Sequence, residues 1–254
     1  MKRVLLLVGI VAALMLAVSC ETTGDQMESE MESDMSSDMD PEESGEMDAA
    51  MGQEYLVTIE VVQGSVTPIA PVAWAVHTGA NPFLGGGMGE KLSGLESLAE
   101  DGNPAPANDA LAGVMEVKQH GVANTPEASG SPGPATPGSS YEFTVTAGEG
   151  AKLSFATMYV QSNDLFFSPG EMGLSLSGEM AATGDVTDQI HLYDAGTEVN
   201  QEPGSGSDQA PRQMDPDTGA SEEKPVMQVD PMMADFAYPA VAEVIKVTVE
   251  HVGM

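Results

Sequence analysis

Basic residues are scarce in this chain: eight Lys and Arg stand against 40 Asp and Glu among 254 residues, a formal net charge of −32. Binding a nucleic-acid backbone requires Lys and Arg to displace condensed counterions, so nucleic acid is excluded as a partner. Strong acidity instead favours solubility and the binding of cations. Cysteine is nearly absent. Cys20 is the sole thiol, so no intrachain disulfide can form. The apolar run Val4–Val18 falls short of the about 20 residues that a transmembrane helix needs. The four histidines, His77, His120, His191 and His251, are widely spaced and form no His-Glu-x-x-His pattern. No Gly-x-Ser-x-Gly elbow offers a serine nucleophile. Recognisable hydrolase chemistry is therefore missing, and the chain is expected not to be an enzyme.

What is present begins with an address. Lys2 and Arg3 precede the Val4–Val18 run, and small residues follow it, the pattern of a secretory leader over 1–19. Leu16-Ala17-Val18-Ser19-Cys20 resembles the bacterial lipobox, in which the cysteine is acylated and becomes the new N-terminus; Ala17 stands where Leu is usual. Several acyl chains, each methylene contributing about 0.8 kcal/mol, hold a protein to a membrane firmly. The expected location is thus the bacterial cell envelope, anchored by lipid on Cys20 to the outer membrane or cell surface, or facing the periplasm. Residues 21–53 carry twelve acidic residues and no basic or aromatic ones. Such a segment buries too little apolar surface to offset its ordering entropy, so 20–53 reads as a disordered leash on the order of 30 Å long. Within it Met27, Met31, Met35, Met39, Met47 and Met51 follow a four-residue spacing. Thioethers in that number suit a soft metal or an oxidant sink; a drifting repeat in a soluble spacer explains the spacing equally.

From residue 54 onward the composition changes. Tyr55–Val62, Pro71–His77, Tyr141–Thr146, Lys152–Val160, Gly173–Ser177, Gln189–Tyr193 and Glu243–Glu250 are β-branched or alternating runs bounded by turn residues. The third and fourth flank Gly148-Glu149-Gly150 and read as a hairpin. Val72, Trp74 and Val76 share one face of their strand, with small alanines on the other. Leu92–Ala99 has helical spacing, and Asn108 is placed to cap a second short helix through Met115. The segments 124–140 and 200–235 are rich in Pro, Gly, Ser and Asp and read as long loops. Seven strands with long turns and little helix predict an all-β protein, an antiparallel β-sandwich filling 54–254 as one domain.

An ordered set of segments resembles the spondin N-terminal domain of F-spondin and mindin, in its bacterial branch: Val57–Glu60, Val72–His77, Leu95–Gly102, Tyr141–Val145, Leu153–Met158, Gln161–Asp164 and Asp194–Glu198. The resemblance implies a C2-like antiparallel β-sandwich with Ca²⁺ bound in loops at one end, used in adhesion. It also implies metal-coordinating roles for Asp164 and Asp194, and for Glu198, where animal members usually have Asp. Leu165-Phe166 stands where Trp is common.

The residues alone point the same way. Asp164 and Asp194 each sit just past a predicted strand, and Gly196 allows the 194–198 loop a positive φ. Carboxylates at neighbouring strand ends repel unless a cation lies between them, and hard oxygen donors select Ca²⁺ or Mg²⁺. Solvated turn acids are the ordinary alternative in so acidic a chain. Asp215-Pro-Asp-Thr-Gly219 opens like an EF-hand loop but lacks its third acid and its closing Glu, and reads as a turn. Glu96, Glu100 and Asp101 lie on a short amphipathic turn where solvated charge is the ordinary reading. Three functions follow: a non-catalytic Ca²⁺-dependent adhesion or surface module whose partner is an extracellular protein or glycan; a Met-rich metal-handling or oxidant-buffering lipoprotein; and an extracellular hydrolase without a recognisable motif.

Overall fold

The computed structural model describes residues 52–86, 90–127 and 129–253. The leader, Cys20 and the methionine repeat lie outside the described residues. What is described is an all-β sandwich of two antiparallel sheets with a few short helices.

The smaller sheet is built on β1 (Gln53–Val61), which pairs on one side with β4 (Ser140–Ala147) and on the other with β11 (Ile245–His251); a short β8 (Gly184–Asp185) flanks β11. Side chains alternate across a strand, and β1 follows that rule closely: Tyr55, Val57, Ile59 and Val61 are buried. Opposite them in register stand His251, Val249, Val247 and Ile245. The last three are buried too, so this pair supplies much of the inner face.

The larger sheet runs β10 (Met227–Gln228), β9 (Ile190–Asp194), β6 (Leu165–Pro169), β5 (Lys152–Met158), β2 (Val72–His77), β3 (Val117–Ala123), with β7 (Leu174–Ser175) also on β5. All six residues of β2 are buried. Val72, Trp74 and Val76 enter the core between the sheets. Ala73 and Ala75 face the other way, into a second apolar cluster with Phe83, Leu95, Leu98 and Leu111. That cluster is roofed by α1 (Leu95–Asp101) and α2 (Ala105–Leu111). A sheet covered on both faces reads as apolar without alternation, which is why Leu165-Phe166-Phe167 in β6 carries no strand period.

Three local expectations are corrected. The β4 and β5 strands do not form a hairpin: β4 pairs with β1, while β5 pairs with β2, β6 and β7. The Gly148–Gly150 turn is an arch between sheets. Its flanking strands face each other across the core, where Tyr141 and Val145 meet Leu153 and Phe155 in one cluster. A short Gly-rich turn fits either geometry, and the eight-residue register of β4 on β1 decides between them. The first helix starts at Leu95 rather than Leu92, and the second ends at Leu111. Asn108 caps nothing and lies inside α2, where its Oδ1 meets His120 Nδ1 at 2.9 Å; Asn103 Oδ1 instead accepts from Ala105 N.

The two sheets are locked by Trp74, stacked on Phe143 of β4 with centroids 5.2 Å apart and planes 6° from parallel. Gly121 of β3, opposite Trp74 in register, makes room for the indole: a Cβ at 121 would lie 2.5 Å from the ring. Gly121→Ala should therefore destabilise the domain by about 1–3 kcal/mol through overpacking, seen as a lower denaturant midpoint together with a shift in Trp74 emission. An unchanged midpoint would show that the stack yields freely.

Candidate metal centre

Strands β6 and β9 run antiparallel with Leu165 opposite Asp194. The residue that enters β6 and the residue that leaves β9 thus share one edge of the sandwich, which brings Asp164 beside Asp194. The sequence places Asp164 just past the strand over 152–160; in the structure it is the approach to β6. A third acid joins them from the long connection after β9. The chain from 196 to 199 forms a short ladder with 220–224, through Val199 N to Ala220 O, Glu222 N to Thr197 O and Lys224 N to Gly196 O, with Glu198 bridged to Ser221. Gly196 has φ +63°, and a Cβ there would strike Lys224 O at 2.5 Å, so glycine is needed for the return strand to approach. This ladder carries Glu222 inward. One carboxylate oxygen from each of Asp164, Asp194 and Glu222 lies within 4.8 Å of the other two.

Of the residues expected from sequence, Asp164 and Asp194 are brought together, and Glu198 is not part of that trio. Neighbouring residues of an extended segment point to opposite sides. Thr197 pairs with Glu222 on the side of Asp164, so Glu198 turns its carboxylate the other way, against Gly219. Its backbone still serves the centre. Asp164 Oδ2 accepts from Thr197 N at 2.8 Å, Glu198 N at 3.1 Å and Thr197 Oγ1 at 3.3 Å. Sequence reasoning missed Glu222 and Asn200, because both fall in a Pro- and Gly-rich stretch whose pairing leaves no periodic trace.

The electrostatics are unbalanced. Asp164 is wholly buried, and its Oδ1 has no hydrogen-bond donor, nor have Glu222 Oε1 and Asn200 Oδ1. Asp194 is half satisfied: Gly196 N donates to Oδ1 at 2.7 Å and Asn200 Nδ2 to Oδ2 at 2.6 Å. Lys224 Nζ meets Glu222 Oε2 at 2.6 Å and is mostly exposed. Full charges at such separations repel by roughly 4 kcal/mol per pair at an effective dielectric near ~20. Burial, then the charge of Asp194, push the Asp164 carboxyl up to about 6. Burial likewise pushes Glu198 and Glu100 up to about 7.

The donor set is chemically specific. Three carboxylates and an amide oxygen, with no sulfur or imidazole among them, match a hard cation such as Ca²⁺, which takes six to eight oxygens at about 2.3–2.6 Å. The unpaired oxygens of Asp164, Glu222 and Asn200 fit that role; water would supply the remainder. Asp194 and Asn200 also line a cavity of about 260 Å³, walled by Met227, Asp230, Met233 and Tyr238, so the centre is reachable from outside. The best-formed nucleophile pair, His77 Nε2 and Ser154 Oγ at 2.8 Å, is fully buried. No acid orients it, since His77 Nδ1 has no partner. Burial lowers His77 to about 4, so the ring stays neutral and serves as a core contact.

No family model matches the chain, and no curated protein matches it.

These raised values set a pH dependence for the metal-free protein. Asp164, Glu198 and Glu100 hold protons in the folded state that the unfolded chain has already released, so folding is favoured at low pH. That contribution is full below about pH 4 and is lost as pH rises through about 6 to 7. In chelator, the thermal midpoint should therefore fall between about pH 5 and pH 8. A midpoint that climbs over the same interval would contradict the geometry described.

Proposed function

We propose that this protein is a cell-envelope lipoprotein, held to its membrane by acyl chains on Cys20, whose folded part is a spondin-like, Ca²⁺-binding adhesion module without catalytic activity. The observation that carries this reading is the trio of Asp164, Asp194 and Glu222, whose oxygens lie within 4.8 Å of one another, with the buried Oδ1 of Asp164 lacking any donor. A divalent cation bridging them would turn mutual repulsion into attraction and would tie the return ladder at 220–224 to the sheet edge. The sequence resemblance to spondin N-terminal domains supports the same assignment. It is also compatible with the all-β sandwich, whose long loops gather acids at one end.

In this reading the ion shapes the surface. Binding is expected to fix the loops around the cavity beside Asp194, where Met227, Met233 and Tyr238 offer apolar contact and Asp230 adds charge. The partner is an extracellular protein or glycan that reaches this rim, and the acidic leash supplies reach from the membrane.

The test is thermal unfolding of the full chain with and without Ca²⁺. At a hundredfold excess over Kd, a single site adds about 2.7 kcal/mol, or roughly 5–10 °C for a domain of this size. Asp194→Asn, which keeps the side-chain volume, should lose most of that gain. A midpoint indifferent to saturating Ca²⁺ would count decisively against the assignment.

A further inference from the structure

Methionine is ordinarily among the more buried residue types, a flexible filler of irregular core gaps. This fold inverts that habit. Of the eight methionines among the described residues, Met158 alone is buried; the other seven are 54–91% exposed. Met115 lies between α2 and β3, Met172 in the β6–β7 turn, Met180 in a short 3₁₀ turn and Met214 in the connection after β9. Met227 belongs to β10, and Met232 and Met233 to the turn beyond it.

Single apolar side chains scattered on a surface need no explanation; the choice of side chain does. Among the described residues, the large apolar side chains left exposed are these seven methionines and three valines, Val66, Val199 and Val252. No leucine, isoleucine or aromatic side chain joins them. Apolar area is therefore not what this surface selects, since leucine would supply as much. A docking patch would also gather its anchors, whereas these come from five separate segments, at 115, 172, 180, 214 and 227–233. What methionine has and leucine lacks is a thioether sulfur that accepts an oxygen atom. No thiol competes with it, because residues 54–254 contain no cysteine.

We propose that the folded domain is a sink for neutral two-electron oxidants, hydrogen peroxide above all, consuming one exposed methionine per molecule. The sulfur lone pair attacks one peroxide oxygen, and the O–O bond breaks as the S–O bond forms. The departing oxygen leaves as water with both protons. Sulfur loses two electrons and the peroxide gains them. The formal charge of −32 sets the reagent class, since it repels anionic oxidants and leaves a neutral one unhindered. Met232 and Met233, for example, lie between Asp230 and Asp235. A sulfoxide is polar and disrupts a core. At these exposed positions it stays in water, so the sandwich outlasts its own oxidation. Return to the thioether falls to methionine sulfoxide reductases, one for each epimer. This activity goes beyond the adhesion reading and needs no bound cation.

Peroxide treatment of the full chain tests it, with uptake followed by peptide mass mapping. The seven exposed methionines should each gain one oxygen, and Met158 should react at least about tenfold more slowly, since it waits for local opening. The thermal midpoint should hold while the seven react, and the two reductases should restore all seven on the folded chain. Replacing the seven by glutamine, similar in length and without sulfur, should lower consumption by seven molecules of peroxide per native chain. Met158→Leu should leave consumption unchanged while the chain stays folded. Undiminished consumption in the sevenfold variant would overturn the proposal. So would exposed methionines that react in the wild type as slowly as Met158, unfolding that accompanies their oxidation, or sulfoxides that the reductases reach only after denaturation.

Discussion

A carboxylate with no exposed surface governs this end of the molecule. Asp164 enters β6 with one oxygen saturated by two backbone amides and a hydroxyl, with the other lacking any donor, and with its carboxylate within 4.8 Å of those of Asp194 and Glu222. Taking a charge out of water costs several kcal/mol unless something opposite in sign replaces the lost hydration. Backbone dipoles replace half of it. The remaining oxygen has no donor, and the carboxylates of Asp194 and Glu222 stand close to the group, so the site favours either a retained proton or a cation. Proton uptake would let the fold exist without metal; under the proposed function, cation uptake at neutral pH would give the same fold a tighter loop edge.

The sandwich makes that choice possible by being rigid where the acids attach. The larger sheet is packed on its inner face by the smaller one and on its outer face by α1 and α2, so β6 and β9 have little freedom to relieve repulsion by separating. Trp74 and Phe143 lock the sheets, and the alanines of β2 let the helices sit close. Variation is left to the connections, where binding residues are commonly carried on a firm scaffold. The segment after β9 is the important one. It leaves the sheet, circles past α1 and returns as the ladder at 220–224 before adding β10, bringing Glu222 to Asp164 and Asp194.

How much of this was legible beforehand depended on whether a residue's neighbours were local. The β1 and β11 strands show plain alternation because one face is buried and the other wet, and both were readable to within two residues. The β6 strand was hidden by burial on both faces, and β3 by its polar, edge-strand composition, with Lys118, Gln119 and His120 in sequence. The strand–turn–strand at 141–160 was found, but its pairing was misjudged, since a turn reports only that the chain reverses. Asp194 stood out because it closes a readable strand, whereas Asp164 was singled out for following the 152–160 strand and in fact opens the unread β6. Glu222 was not, because its place is set by a return ladder between two irregular segments, and Glu198 was displaced by the simple alternation of that ladder. The Glu96–Glu100 pair and the Asp215–Gly219 turn were each visible in sequence, but nothing along the chain told that they meet.

Long-wavelength anomalous diffraction from crystals grown in Ca²⁺ decides whether a cation sits at Asp164. An anomalous peak is expected about 2.3–2.6 Å from Asp164 Oδ1, with oxygens of Asp194, Glu222 and water in its shell. A map without that peak, with Asp164 Oδ1 instead about 2.5–2.7 Å from a neighbouring carboxylate oxygen as in a shared-proton pair, would contradict it.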